Sequence, residues 1–316
     1  MKKYILSVLF LVAVYAIGCN AQQKQLFITT LSVEDTVATD GQMDTAVIVL
    51  KKRLEAEKIT FTTVEADHKA REISITSEAL DKDWIRTALL KRGDLVLYEA
   101  YSITELVGIL KDADEWIAGK ISQPGKEKVA NPLFSVLNPA QPQGYAQSVP
   151  GFIGIVAKKD VPVLKQYIEM TKDILPADVA MLLVEQTDDR IKSKYEEVYF
   201  VKNNDTKLSL SNHVLDALLD ISDEKYPAVQ IKLDTYGAYM FKRITGKNIS
   251  KTLAIVIDGQ ILSAPKILGE IWGGRLIISG SFQKQEAQEI ANTLRSGYLP
   301  LQLQFKNMQE ARPKDK

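Results

Sequence analysis

The sequence predicts an α+β fold made of two ferredoxin-like (split βαβ) units with an inserted α+β segment between them. Residues 227–300 carry strand, helix, hairpin, strand and helix signals in that order, and a further strand follows at 301–305. Residues 25–101 carry the same order of strand, helix, two strands, helix and strand. A sheet with its helices on one face fits both blocks.

The first unit is predicted to span residues 25–101. Its predicted elements are a strand at 25–32, a helix at 41–57, strands at 59–65 and 71–76, a helix capped by Asp81 that ends at Gly93, and a strand at 94–101. Met43, Val47, Leu50 and Leu54 follow helical spacing, so they predict the buried stripe of the first helix.

Residues 102–206 are predicted to form a Pro-rich connecting segment that contains a helix and strands. Residues 124–151 hold five of the eleven prolines of the chain, which favours an extended crossing. The helix is expected after Asp160, with Pro162 in its first turn, and the strands are expected at 179–185 and 197–202.

The second unit is predicted to span residues 207–306, and a charged tail follows at 307–316. Its predicted elements are a helix at 210–219, a strand at 229–233, a helix at 235–245, a hairpin at 253–263, a strand at 276–279, a helix at 283–296 and a closing strand at 301–305. Asp258 and Gly259 join the two hairpin strands, and Asp-Gly between apolar runs is typical of a type I′ turn.

Four further glycines are expected to have backbone roles in turns, namely Gly273, Gly274, Gly280 and Gly297. Gly297 follows the last helix, where a glycine commonly ends a helix. Trp272 and Arg275 flank the Gly-Gly pair and form a candidate binding lip. A sharp turn that needs positive φ explains the two glycines equally well, so both interpretations stay open.

Four motifs in the second unit occur in a fixed order: residues 245–265 (TGKNISKTLAIVIDGQILSAP), Ile271–Gly274, Ile278–Phe282 and Leu294–Pro300. This block resembles the first periplasmic domain of SecD, the membrane partner of the bacterial protein-translocation channel. Ser250 departs from the pattern, which usually has glycine there. The first unit also resembles SecD, through an apolar-and-Arg helix pattern at Val49–Leu54.

The N-terminus has the organisation of an export signal. Lys2 and Lys3 precede a fourteen-residue apolar run, and Gly18-Cys19 follows directly. Fourteen residues fall short of the ~20 that a membrane-spanning helix needs. Residues 16–19 resemble a lipobox, so 1–18 are expected to be a lipoprotein signal peptide, Cys19 the lipidation site and 19–24 a tether. The alternative, ordinary cleavage after Ala21 with loss of Cys19, stays open.

The composition excludes several classes of function. Forty Lys and Arg balance forty Asp and Glu, which argues against nucleic acid as a partner. Nucleophile-elbow, phosphate-loop and dinucleotide signatures are absent from the sequence, and its two histidines lack a second ligand at helical spacing, so we expect no enzyme, cofactor or metal. Acidic clusters at 112–115 and 188–189 could bind a cation or act as catalytic carboxylates, but solvated helix ends or turns fit them better.

The resemblance implies a role at the cell envelope. SecD draws on the proton gradient through carboxylates in membrane helices, whereas this sequence has no ~20-residue apolar segment after residue 18. We therefore expect a lipid-tethered, non-catalytic protein that faces the periplasm and binds unfolded exported polypeptide or Sec translocon components. A structural or regulatory envelope module without a role in translocation is the alternative, because a fold alone does not determine function.

Overall fold

The computed structural model describes residues 25–122, 125, 127, 129–140, 151–185, 194–222, 227–280 and 282–311, so the expected lipidation site Cys19 lies outside the described residues. The described strands are β1 (Phe27–Val33), β2 (Phe61–Asp67), β3 (Glu72–Ser77), β4 (Leu95–Glu99), β5 (Leu137–Pro139), β6 (Phe152–Ala157), β7 (Val179–Glu185), β8 (Tyr195–Lys202), β9 (Leu208–Ser209), β10 (Val214–Asp220), β11 (Ala228–Leu233), β12 (Leu253–Ile257), β13 (Gln260–Ser263), β14 (Arg275–Ser279) and β15 (Leu303–Glu310).

The described helices are α1 (Asp40–Ala56), α2 (Lys82–Trp84), α3 (Ile103–Ile121), α4 (Pro132–Val136), α5 (Val161–Met170), α6 (Thr235–Lys247) and α7 (Lys284–Ser296). A π-helical turn, Ile85–Leu89, continues α2, and a 3-10 turn, Lys158–Asp160, precedes α5. Helices and antiparallel sheets are mixed along the chain, which confirms the α+β class.

Four antiparallel sheets organise the described residues. The N-terminal sheet has the strand order β15-β1-β3-β2, and the middle sheet has the order β5-β6-β8-β7. The three-stranded sheet is ordered β10-β11-β14, and the hairpin sheet is ordered β13-β12-β4-β9. The two predicted units therefore do not each close into a separate ferredoxin-like sheet.

The closing strands of the two predicted units are exchanged. β4 was expected to close the first unit, but it pairs with β12, with Val96 opposite Val256. β15 was expected to close the second unit, but it pairs with β1, with Leu31 opposite Phe305. Local patterning places a strand at each position but does not choose its partner, because partner choice depends on long-range packing.

Burial of both faces explains why β12 is apolar along its whole length. Leu253, Ile255 and Ile257 join the core between the hairpin sheet, the three-stranded sheet, α6 and α7. Ala254 and Val256 face the other way and pack against Phe152 and Tyr199 of the middle sheet. Both faces of this strand are buried, so neither face can carry polar side chains at low cost.

Arg53 of α1 lies at the joint between the exchanged strands. Its side chain is 4% exposed, and it donates hydrogen bonds to the carbonyl oxygens of Leu89 (2.7 Å), Gly297 (3.3 Å) and Lys91. Leu89 and Lys91 lead into β4, whereas Gly297 ends α7 and leads into β15. One buried guanidinium therefore ties together both chain segments that cross between the units.

One further prediction of secondary structure was wrong, and one helix was not predicted. Residues 210–219 were expected to be helical, but Val214–Asp220 form β10, which pairs with β11. The apolar run fits helical spacing, yet Leu215 and Leu218 are exposed and Ala217 is buried, so pairing with β11 overrides the pattern. The 19-residue helix α3 was not predicted within the connecting segment.

Candidate functional site

β14 offers an open strand edge. Its burial alternates, with Leu276 and Ile278 facing the core and Ile277 59% exposed, and among the described strands it pairs with β11 alone. The Leu233 amide donates to the Gly274 carbonyl oxygen at 2.8 Å, which sets the phase of the β11–β14 ladder. Because bonding alternates along an antiparallel ladder, the main-chain groups of Arg275, Ile277 and Ser279 point to the open edge.

An apolar groove of about 450 Å³ lies beside this edge. Leu276 and Ile277 of β14 form one side, and Leu97 of β4 and Ile255 of β12 form the other. The segment 265–271 and Phe241 of α6 complete the lining. A strand added to β14 would cover the groove and place alternate side chains in it.

Gly280, just beyond β14, marks a close approach between β14 and β13. Gly280 follows β14, and a Cβ at this position would lie 3.1 Å from the Leu262 carbonyl oxygen of β13 and 2.9 Å from Phe282. A larger residue would therefore push β13 and β14 apart. Gly280 has no positive φ, so close approach, and not turn geometry, is the reason for a glycine here.

Trp272 and Arg275 lie at the mouth of the groove. Trp272 is 67% exposed, and the ammonium of Lys242 lies 3.2 Å from its ring centroid, a close cation–π contact. Arg275 contributes to the groove lining directly. Glu270 lies 4.0 Å from the same ammonium, so the mouth combines an aromatic ring, two cations and one carboxylate.

Gly273 and Gly274 lie between Trp272 and Arg275, and each is needed for a structural reason. Gly273 and Gly274 have φ of 80° and 64°, a region that favours glycine. A Cβ on Gly274 would also lie 2.5 Å from the Cβ of Ala238 on α6, whereas the space around Gly273 is open. Gly274 therefore permits both the turn and the close packing of the lip on α6.

The hairpin turn has the geometry that its sequence predicts. Asp258 and Gly259 have φ of 51° and 80°, as a type I′ turn requires. The Asp258 carboxylate also accepts hydrogen bonds from the amides of Gly93 (3.1 Å) and Asp94 (2.8 Å). The turn thus holds the start of β4 beside β12 within the hairpin sheet. Gly297, with φ of 100°, ends α7.

A second cleft, of about 470 Å³, lies between the middle sheet and the hairpin sheet. Its lining includes the carboxylates of Glu196, Glu197 and Glu286. The Tyr199 hydroxyl donates to the Glu197 carboxylate at 2.9 Å. Among the described residues, no cluster of three or more His, Cys, Asp or Glu side chains has an arrangement suited to a metal ion. The acidic walls make this cleft less suited to apolar polypeptide than the groove.

The acidic run at 112–115 lies on α3, and one of its carboxylates has a structural partner. Asp114 of α3 is 5% exposed and accepts a hydrogen bond from the Leu133 amide at 2.7 Å, so it caps α4 and is not a solvated charge. Asp188 and Asp189 lie outside the described residues.

The marked pKa shifts also belong to structural positions. Burial lowers the pKa of Arg53 to about 10, and nearby Asp258 partly opposes this shift. Burial, together with a 2.6 Å hydrogen bond to Asp178, raises the pKa of Tyr101. Neither residue lines the groove, so the groove offers main-chain groups and apolar surface for binding, and these shifts provide no acid or base there.

The binding lip predicted at Trp272 and Arg275 stays a prediction, and the groove beside Arg275 was not predicted from the sequence. Trp272 and Arg275 stand in a conspicuous motif, whereas Leu97 and Ile255 are ordinary apolar strand residues. Leu97 comes from β4, which the exchange of strands brings to the second unit. No local signal in the sequence predicts that β4 pairs with β12 and brings Leu97 to the groove.

A protein-family model and several known proteins are similar in sequence to this chain. A family model described as "SecDF, P1 head subdomain" matches residues 170–301. The protein translocase subunit SecD of Magnetococcus marinus is 33% identical over 312 residues, which covers 90% of this chain and 57% of that protein. SecD of Calditerrivibrio nitroreducens is 26% identical and is covered over 56% of its length. The chain thus spans a little over half the length of these relatives.

Solved structures give the same fold. A crystal structure of SecDF in its super-membrane-facing form aligns with a TM-score of 0.54 at 17% identity, covering 90% of this chain and 30% of that one. A structure of SecDF, titled as a membrane component that enhances protein export, aligns with a TM-score of 0.51 at 19% identity, covering 92% of this chain and all of that one.

In the part of the chain that the structure describes, no helix combines the length and the hydropathy needed to span a bilayer. The SecD relative of Magnetococcus marinus and the two SecDF structures match about 90% of the chain, and the family model matches residues 170–301, so this chain is similar to SecD over most of its length.

Proposed function

We propose that this chain is a non-catalytic polypeptide-binding module that assists protein export and is held at the cell envelope by a lipid on Cys19. The observation that carries the proposal is the open edge of β14 beside an apolar groove. Similarity to the SecD periplasmic domain supports a role related to protein translocation. The lipid anchor is supported by the N-terminal sequence alone.

An extended client would bind by adding a strand to β14. The outward main-chain groups of Arg275, Ile277 and Ser279 would pair with the client backbone, which is present in every unfolded protein. Alternate client side chains would enter the groove, and Trp272 would cover the client at the mouth. Main-chain pairing is independent of sequence, so binding is expected to be weak and tolerant of sequence. A Sec translocon component with an extended segment would use the same edge.

Titration of the full chain with a fluorescently labelled, unfolded exported protein tests the proposal. Fluorescence anisotropy should show binding to the unfolded protein and much weaker binding to the same protein in its native state, because native sheets have already paired their backbone groups. Equal binding to both forms, or none to either at high micromolar concentration, would instead favour a structural or regulatory envelope module.

Two changes at one position separate main-chain pairing from side-chain burial. Ile277→Pro removes an N–H that points to the open edge and leaves the bonds to β11 intact, so client binding should weaken about tenfold while folding is retained. Ile277→Ala keeps the N–H and should weaken binding less.

Leu215→Ala provides the matched control. Leu215 is as exposed as Ile277, at 59%, but it lies on β10 at the opposite edge of the same sheet. Equal losses in all three variants would show that the client does not pair with β14.

A further inference from the structure

α6 presents a stripe of aromatic and basic side chains to solvent. Tyr236, Tyr239, Arg243 and Lys247 follow spacings of three, four and four residues and are all exposed, which places them on one helical face. Tyr236 and Tyr239 are 59% and 55% exposed, although tyrosine rings are usually more buried. The opposite face holds the helix in the core through Phe241 and Ile244. Tyr236 contacts the His213 ring at 5.1 Å and Arg243 lies 5.6 Å from the Tyr239 ring, but packing in the core accounts only for the opposite face of α6.

The stripe is locally positive in a chain whose charges balance. Residues 235–251 contain Lys242, Arg243, Lys247 and Lys251 but no Asp or Glu, whereas the whole chain carries forty residues of each sign. Three carboxylates come near from other positions, and one of them, Glu99, accepts a hydrogen bond from the Asn248 side chain at 3.1 Å just beyond Lys247. Asp234 caps the start of α6 and contacts His213, and Glu270 lies near Lys242. Arg243 and Lys247, which form the C-terminal half of the stripe, therefore keep this half positively charged.

Exposed apolar side chains flank the C-terminal end of the stripe. Ile249 is 48% exposed, and Leu268 is 86% exposed. The Ser250 amide donates to the Ile267 carbonyl oxygen at 2.7 Å, which brings these two segments side by side next to Lys247. An isolated exposed leucine needs no explanation, but here two apolar side chains adjoin two tyrosines and several cations.

We propose that this surface, formed by the α6 stripe with Ile249 and Leu268, docks on an anionic lipid membrane. Tyrosine rings favour the membrane–water interface, and cations near an anionic leaflet are attracted to its headgroups. Ile249 and Leu268 would enter the acyl boundary, in the manner of an amphipathic helix lying in the interface plane. An acidic polypeptide would satisfy the cations, but it would leave the two exposed tyrosines and Ile249 without a role.

Partition into lipid vesicles tests this surface in the full chain. Vesicles of phosphatidylcholine alone are compared with vesicles that contain phosphatidylglycerol, and the readout is the ratio of the two partition coefficients. Contributions from residues 1–24 are the same in every variant, so differences between variants report on the surface. Wild-type protein should prefer the anionic vesicles, and added salt should weaken that preference.

Removing two cations should abolish most of the preference. Arg243→Gln combined with Lys247→Gln should lower the ratio on the order of 30-fold, because each cation near an anionic leaflet contributes about 1 kcal/mol. The charge-matched control, Lys111→Gln with Lys165→Gln, removes two exposed cations from other helices and should leave the ratio nearly unchanged. Tyr236→Ser with Tyr239→Ser should lower binding to anionic vesicles several-fold without changing the net charge.

Three results would overturn the proposal. The first is equal partition of the wild-type protein into both kinds of vesicle, which needs no variant to fold. The second is an equal loss in the cation variant and its control. The third is competition by poly-glutamate that displaces wild-type protein from vesicles while the Tyr236→Ser/Tyr239→Ser variant binds vesicles as well as wild type, which would indicate an acidic polypeptide as the partner.

Discussion

Replacing Arg53 by methionine should destabilise the protein at the joint between its exchanged strands. The methionine side chain preserves the apolar stem but removes hydrogen bonds to three carbonyl oxygens, those of Leu89, Lys91 and Gly297. Hydrogen bonds to a charged donor each contribute about 1.5 to 3 kcal/mol, so the loss amounts to roughly 5 kcal/mol or more.

Removal of the buried charge offsets part of that loss. Burial lowers the pKa of Arg53 from 12.5 to about 10. A shift of this size corresponds to about 3 kcal/mol of unfavourable charge burial at neutral pH, and the methionine variant no longer carries it. The net destabilisation is therefore expected to be about 2 kcal/mol, which should lower the melting temperature by roughly 4 to 8 °C.

Differential scanning calorimetry measures the melting temperature, and hydrogen exchange locates the effect. Amides of β4 and β15 should exchange faster in Arg53→Met, because the lost bonds hold the segments that lead into those strands. Lys52→Met is the control, since Lys52 is the exposed neighbour on the same helix. Equal melting temperatures for Arg53→Met and wild type, or faster exchange confined to α1, would refute the reasoning.

Three further predictions concern single residues. Gly259→Val should lower the melting temperature, because a β-branched residue resists positive φ. Gly259→Asn should leave the melting temperature nearly unchanged, because asparagine tolerates positive φ and no atom lies within 4 Å of the added Cβ. Equal effects of the two substitutions would indicate a different type of turn. Cys19→Ser should release the protein from the membrane fraction or leave its precursor unprocessed, and normal metabolic lipid labelling of that variant would exclude Cys19 as the lipidation site. The pKa of Asp234 lies below its ordinary value of 3.8 because the Gly237 amide and His213 bond its carboxylate. The ionised Asp234 carboxylate stabilises the fold fully above its ordinary pKa of 3.8, and this stabilisation is lost as the pH falls through the lowered pKa. Chemical denaturation should therefore show Asp234→Ala to be less stable than wild type at neutral pH, with a difference in unfolding free energy that shrinks below pH 3.8. A difference that does not depend on pH would contradict this account.

Local sequence signals were sufficient to predict elements that begin or end at a residue with positive φ. Asp258-Gly259 fixed the hairpin, and Gly297 marked the end of α7, because these positions need backbone conformations that glycine and a few polar residues adopt. The helix α3 was missed although Ser102 and Glu105 form a capping box at its start. No element was predicted at 103–121, since the prolines that favour an extended crossing lie further along the chain, at 124–151.

Partner choice between strands could not be predicted from the sequence. β4 is a short apolar strand, whereas β15 has eight residues and is mostly polar; each follows a helix, and neither local pattern specifies which sheet the strand joins. The joint at Arg53 and the bonds from Asp258 to the start of β4 favour the exchanged arrangement, and both depend on residues more than thirty positions apart. The groove was missed for the same reason.

The exchange of strands has a consequence for the candidate site. Leu97 of β4 lines the groove, and the β12 side of the groove is held in place by pairing with β4. A chain segment beginning after Glu99 would keep β11, β12 and β14 but would lose this wall and expose the edge of β12. The open edge of β14 and the complete groove therefore lie side by side only where the N-terminal unit contributes β4, so we expect the proposed client binding to weaken when the joint at Arg53 is disrupted.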